Sequence, residues 1–147
     1  MAEITVSVKR LDDKAVLPEN AYAGDAGVDL RATEALVLKP FERACVSTGI
    51  AVAIPDGYAG YVIPRSGLAI KHGISVVNAP GLIDSGYRGE LKVILINLDP
   101  HEPFTIEVGD RIAQLVIAEV GQVHWAVTEC LDETERGAGG FGSSGVE

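Results

Sequence analysis

The sequence predicts an all-β domain, and three observations carry that reading. Apolar residues alternate with polar ones or run in short β-branched stretches. Turn residues punctuate those stretches at close intervals. Apolar spacing at a helical period is almost absent. Many short strands at this spacing fit a barrel, a sandwich or a jelly roll, and the spacing leaves all three open.

The elements follow in chain order. Ile4, Val6 and Val8 alternate with Thr5, Ser7 and Lys9, the pattern of a half-buried strand. Further strands are expected in ALVLK, CVSTGIAVAI, GYVI, ISVV, LKVILINL, FTIEV, RIAQLVIAEV and HWAVTEC. Pro55-Asp56-Gly57, Asp99-Pro100 and Val108-Gly109-Asp110 separate them as turns. Only SGLAIKHG, after Arg65, is expected to form a turn or two of helix. No repeat or internal linker interrupts the chain, and its one shift in composition follows Glu135. Residues 1–135 are therefore expected to form the β domain and 136–147 a mobile, Gly-rich tail.

With 147 residues, 47% of them hydrophobic, the chain can bury a core and is not disordered throughout. Its formal net charge of −9 opposes non-specific binding to nucleic acid or an anionic membrane. An anionic ligand would need a local cationic pocket or a metal ion. No apolar run approaches membrane-spanning length, and the stretch MAEITVSVKRLDDKAVL lacks the apolar region of a signal peptide. A cytoplasmic protein without nucleic-acid or membrane partners is expected. Cys45 and Cys130 lie far apart, and each is expected as a buried, reduced thiol. His72, His101 and His124 have no metal-ligand spacing, so zinc is not expected.

Five segments combine glycine with charge beyond what a β core requires. AGDAGVDL, residues 23–30, presents Asp25 and Asp29 in a flexible frame; it also reads as a polar loop with Asx-turns. PRSGLAIKHG, residues 64–73, sets Arg65, Ser66 and Gly67 where a strand meets a short helix. That is a seat for phosphate, or a surface arginine with a serine cap. NAPGLIDSGYRGEL, residues 78–91, is a Gly/Pro/Asp-rich hairpin between two strand-like runs. Asp84, partly shielded beside Ile83, would orient and deprotonate a water, and Tyr87 offers a flat ring to a sugar or base. The same tyrosine also reads as a core residue. GDRIAQLVI, residues 109–117, carries Gln114 among apolar neighbours, which implies a buried amide with a specific partner. The fifth, RGAGGFGSSG at 136–145, reads either as a frayed end or as a flap over something flat and anionic.

Together and in this order, the five segments resemble the trimeric dUTP pyrophosphatase (dUTPase) family, over nearly the whole chain. The resemblance implies a jelly-roll-like (β-clip) fold and a homotrimer whose three sites each draw segments from all three chains. It implies Mg²⁺-assisted hydrolysis of dUTP to dUMP and pyrophosphate, which limits uracil incorporation into DNA and supplies dUMP for thymidylate synthesis. Residue by residue, Asp84 matches the base that prepares the attacking water. Tyr87 matches the floor under the deoxyribose. Asn78 and the hairpin backbone at Gly81 match the uracil reader. Arg65, Ser66, Gly67 and Gln114 match phosphate contacts, and Asp29 a carboxylate that reaches the metal through water. Arg136, Phe141, Gly142, Ser143 and Ser144 match the closing tail. Departures are small: Ser144 stands where threonine is common, and Gly86 where many members carry an acidic residue. The related dCTP deaminases share the hairpin, but Ile94 stands where their catalytic glutamate belongs and Ile70 where they carry a second arginine. A member with an added regulatory, protein-binding role is a further alternative.

Overall fold

The computed structural model describes residues 3–146. Ten strands and one short helix follow each other as β1 (Ser7–Arg10), β2 (Val28–Arg31), β3 (Leu36–Leu38), β4 (Arg43–Ala53), β5 (Tyr58–Ile63), α1 (Ser66–His72), β6 (Ile74–Val76), β7 (Gly81–Ile83), β8 (Glu90–Asn97), β9 (Phe104–Ile106) and β10 (Arg111–Glu119). One four-stranded sheet has the order β1-β4-β8-β6, a second β2-β10-β5-β7, and β3 pairs with β9 alone. All pairings are antiparallel. Alternate residues of both four-stranded sheets meet in one core. Val46, Ile50, Leu91, Val93 and Leu95 come from the first sheet, and Leu30, Val62, Ala113 and Leu115 from the second. The result is a jelly-roll-like, all-β architecture, in which two inner faces share their apolar surface.

The fully buried polar side chains Thr48 and Asn97 are hydrogen-bonded. Thr48 Oγ1 donates to the Leu91 carbonyl, and Asn97 Nδ2 donates to the carbonyls of Leu38 and Glu102 at 3.0 and 2.9 Å. Asn97 thereby ties the end of β8 to β3 and to the turn that leads into β9. A register shift interrupts β4 against β8 between Ser47 and Ala51. Gly49 sits there at φ 70°, and a Cβ on it would stand 2.8 Å from the Cβ of Ala15. Only glycine meets both conditions, a left-handed backbone and no room for a side chain.

Several expectations are corrected. HWAVTEC forms no strand: from Gly121 onward no strand is formed among the described residues, and Trp125 is 90% exposed. Its alternating pattern has no strand beside it in this chain. β1 is present, but as an exposed edge rather than a half-buried strand; Val6, just before it, packs on the core while Val8 is exposed. Cys45 and Cys130 are exposed free thiols, because Cys45 points outward from β4 and Cys130 lies in the strandless segment. β2 and β7 form where the sequence suggests loop, since each is short and is held by its neighbour's hydrogen bonds.

Candidate active site

The second sheet brings three expected residues to one end. Asp29 on β2 lies directly across from Gln114 on β10, which in turn faces Ile63, two residues before Arg65. Arg65 Nε donates to Asp29 Oδ1 at 3.1 Å. Arg111 Nη1 approaches the other carboxylate oxygen at 3.5 Å, and Arg65 Nη1 also reaches the Arg111 carbonyl at 3.3 Å. Asp29, Arg65, Arg111 and Gln114 line a cleft of about 400 Å³, with Tyr22 and Asp25 at its side. One carboxylate thus orients two guanidinium groups, each left with free donors, in a protein whose net charge is strongly negative.

A bulge explains how Arg111 and Gln114 share this cleft. They are three residues apart, so in a regular strand their side chains would point to opposite faces. The β10–β2 register shifts between Arg111 and Ala113, so that one extra residue, Ile112, enters β10. Beyond the bulge Gln114 returns to the face that Arg111 uses. Gln114 is half-buried, and among the described residues its amide has no hydrogen-bond partner. This corrects the expectation of a buried, paired amide: Ile112, Ala113 and Leu115 take the inward positions around it. In the sequence Arg111 reads as an ordinary polar start to a strand. The signal lay in its spacing from Gln114, which has meaning only once the bulge is known.

Ser66 and Gly67 are exposed in the first turn of α1. Arg65 occupies the N-cap and makes no capping hydrogen bond, so the serine cap considered from the sequence is absent. The first amides of a helix have no partners within it. Open space surrounds Gly67 where a side chain would stand.

The hairpin expected around Asp84 exists in an elaborated form. β6 pairs with β8, Ile74 facing Asn97 and Val76 facing Leu95. The connection between them sends β7 to the other sheet, where Gly81 faces Val62 and Ile83 faces Gly60. Asn78 lies at the entry to β7, with Nδ2 folded toward Gly81. Asp84 follows β7 and is exposed, which corrects the expected shielding. Its carbonyl accepts from Tyr87 N–H at 3.1 Å, and Ser85 and Tyr87 carbonyls accept from Arg88 Nη1 at 2.6 and 2.9 Å. Tyr87 is not a core residue: its ring is exposed, and its hydroxyl donates to the Glu90 carbonyl at 2.9 Å. Asp84, Tyr87, Leu82, Glu90, Lys92 and Cys45 line an open cleft of about 650 Å³.

One chain keeps these two clefts apart. Because Gly60 faces Ile83, Asp84 falls opposite Ala59, six residues from Arg65 along the chain. At about 3.3 Å per residue that is on the order of 20 Å. A general base acts within hydrogen-bond reach or through one water. Asp84 therefore does not serve the arginine cleft of its own chain.

Among the described residues, the strandless C-terminal segment Gly121–Val146 makes hydrogen bonds only within itself, from Gly137 N to the Thr134 carbonyl at 3.1 Å to Gly145 N to the Gly142 carbonyl at 2.9 Å. Arg136 Nε donates to the Gly139 carbonyl at 2.9 Å. Phe141 is fully exposed at φ 52°, and Gly137, Gly142 and Gly145 all adopt positive φ. Ser143 and Ser144 are exposed beside it. Among the described residues no three acidic, histidine or cysteine side chains cluster as a metal site, and no helix is long and apolar enough to cross a membrane.

The sequence pattern of the dUTPase family matches residues 13–145. A deoxyuridine 5′-triphosphate nucleotidohydrolase of Thermobifida fusca is 55% identical over 97% of this chain and 79% of its own length. One from Cutibacterium acnes is 52% identical over 99% of this chain and 95% of its own. Among solved structures, the dUTPase of Staphylococcus bacteriophage 80alpha with dUpNHpp superposes with a TM-score of 0.89 at 35% identity, covering 97% of this chain and 99% of that one. Fold, segment order and relatives agree, and the chain belongs to the dUTPase family.

Proposed function

We propose that this protein hydrolyses dUTP to dUMP and pyrophosphate by attack of water on the α-phosphorus. The observation that carries the reading is the division of the site: an arginine cleft anchored by Asp29, and a separate cleft that pairs an exposed carboxylate, Asp84, with a fixed tyrosine ring. Neither cleft is complete alone. The ~20 Å between them calls for a second copy of the chain, in keeping with a closed ring of three. Each site then takes Asp84 and Tyr87 from one copy, Asp29, Arg65 and Gln114 from another, and the tail from a third.

In that site Arg65, the free amides at Ser66 and Gly67, and Gln114 hold phosphate oxygens. Asp84 accepts a proton from the attacking water. Asn78 and the backbone near Gly81 read uracil with donors and acceptors that cannot rotate to accept cytosine, a mismatch that discriminates far more strongly than a missing methylene. The Tyr87 ring lies under the deoxyribose and leaves no space for a 2′-hydroxyl. Phe141 covers the base, while Arg136, Gly142, Ser143 and Ser144 close over the distal phosphates and exclude bulk water. Mg²⁺ would arrive on the triphosphate and offset its charge. Asp29 suits an outer role toward it through water, because both carboxylate oxygens already face arginines.

The test is incubation with each dNTP and with UTP in oxygen-labelled water, with Mg²⁺ present. Only dUTP should be consumed at an appreciable rate, giving pyrophosphate and dUMP that carries the label. Deamination of dCTP, or release of orthophosphate from dUTP, would replace this reading with another.

A further inference from the structure

Gly89 is the residue against which the Tyr87 ring rests. A Cβ built on Gly89 would stand 2.6 Å from Cζ and 3.0 Å from Cε2 of Tyr87, and would collide with its hydroxyl. Nothing else lies as close: the nearest obstacles are all atoms of that one side chain. The backbone itself does not require glycine, since Gly89 is not among the residues with positive φ. An alanine would thus be accepted by the main chain and refused only by the ring. The ring is otherwise held at both ends. Tyr87 N–H donates to the Asp84 carbonyl, and the hydroxyl donates to the Glu90 carbonyl one residue beyond the glycine.

We propose that Gly89 is a positioning residue for sugar selection, acting through Tyr87. It lets the ring lie flat against the chain at the height where the 2′ position of the sugar is closed off. The inference rests on the reading of this cleft as the deoxyribose site of dUTP. Restoring ordinary contact with a Cβ would move the ring by about an ångström, since carbon atoms settle roughly 3.5–4.0 Å apart. A ring so displaced also leaves its hydrogen bond to Glu90. Because the obstacle is a side-chain tip and not the backbone, the fold survives while the floor of the cleft changes.

The experiment compares specificity constants for dUTP and UTP in four proteins: wild type, Gly89→Ala, Tyr87→Ala and the double variant. Gly89→Ala should retain a cooperative thermal transition and lower the dUTP:UTP ratio by about tenfold or more. In the Tyr87→Ala background the same glycine substitution should leave the ratio unchanged within about twofold, because no ring remains to displace. Tyr87→Phe, which keeps the ring and loses the tether to Glu90, should lower the ratio less than Gly89→Ala. An unchanged ratio in Gly89→Ala, or an equal drop with and without the tyrosine, overturns the proposal. A readout independent of activity is the pair of Gly89 α-proton resonances. They should be displaced by the aromatic ring in the wild type and relax to ordinary values in Tyr87→Ala. Unshifted α-protons overturn the positioning role whatever the enzyme does, whereas a wild type that does not split dUTP overturns the activity assignment instead.

Discussion

Two arginines of this chain use the same atom for opposite ends. Arg65 Nε bonds a carboxylate that lies two strands away, while Arg136 Nε bonds a carbonyl three residues further along its own segment. The first is fixed by the fold before any ligand arrives. The second is fixed only by a local turn among glycines. Ordering a side chain and its backbone costs conformational entropy, roughly 1–2 kcal/mol per residue for the backbone alone. The arginine cleft has met that cost in folding, whereas the tail meets it on closing. What the difference teaches is a division of labour. The prebuilt parts select and align, and the unbuilt part converts binding into closure, which makes release possible afterwards.

The sharpest way to probe that division is to leave both regions intact and remove the group they serve. Asp84→Asn should keep dUTP binding and lower turnover by a factor on the order of 10²–10⁴, measured as kcat beside a binding isotherm. Near-normal turnover would take Asp84 out of the mechanism.

Next in size is loss of the unbuilt region. Truncation after Glu135 should lower kcat/KM by about 10²-fold, the scale of a misaligned reactive geometry. Its thermal transition should match that of the full chain, because among the described residues the removed segment bonds outside itself only to Thr134, which lies in the same strandless stretch. Refolding this truncation with equal amounts of Asp84→Asn sharpens the comparison further. If hairpin and tail come from different copies, random closed trimers recover about a quarter of the sites. Recovery at the background of the two variants, in rings shown by mass spectrometry to be mixed, would mean that the tail serves its own chain.

The smallest effect belongs to the anchor of the prebuilt region. Asp29→Asn keeps the shape but frees Arg65 and Arg111 from their common carboxylate. The pairs are part-exposed, so the loss should correspond to no more than about 1 kcal/mol. It should appear mainly as a higher KM for dUTP, with kcat less affected. A collapse of kcat would show that the carboxylate does more than hold arginines.

Most of the fold was legible because strand alternation is local. The runs that became β4, β5, β8 and β10 carry their pattern in their own residues. Val28–Arg31 was not legible, because glycines and aspartates surround it and only pairing with β10 makes it a strand. HWAVTEC misled for the converse reason: it has the alternation and lacks a partner in its own chain. At the site, the residue types of Asp29, Arg65, Gln114, Asp84 and Tyr87 stood out in sequence. Their grouping did not. Nothing local says that Arg111 joins Asp29, that Asp84 lies far from Arg65 along the sheet, or that Gly89 is the bed of a tyrosine ring.

The extra residue at Ile112 also says what kind of change this protein tolerates. Upstream and downstream of it, β10 is read in two different phases, like text on either side of an inserted letter. Many substitutions at Ile112 would keep that phase if they stay apolar and of similar volume, since the side chain is buried. Deleting Ile112 would only remove the bulge and leave Arg111 and Gln114 two residues apart on one face, whereas one residue inserted after Ala113 would shift every later position by one. Leu115 would turn outward, Gln114 inward, and the arginine and the amide would part company across the sheet. In this strand length is the stricter constraint than identity, and the phosphate seat depends on a count of residues as much as on their chemistry.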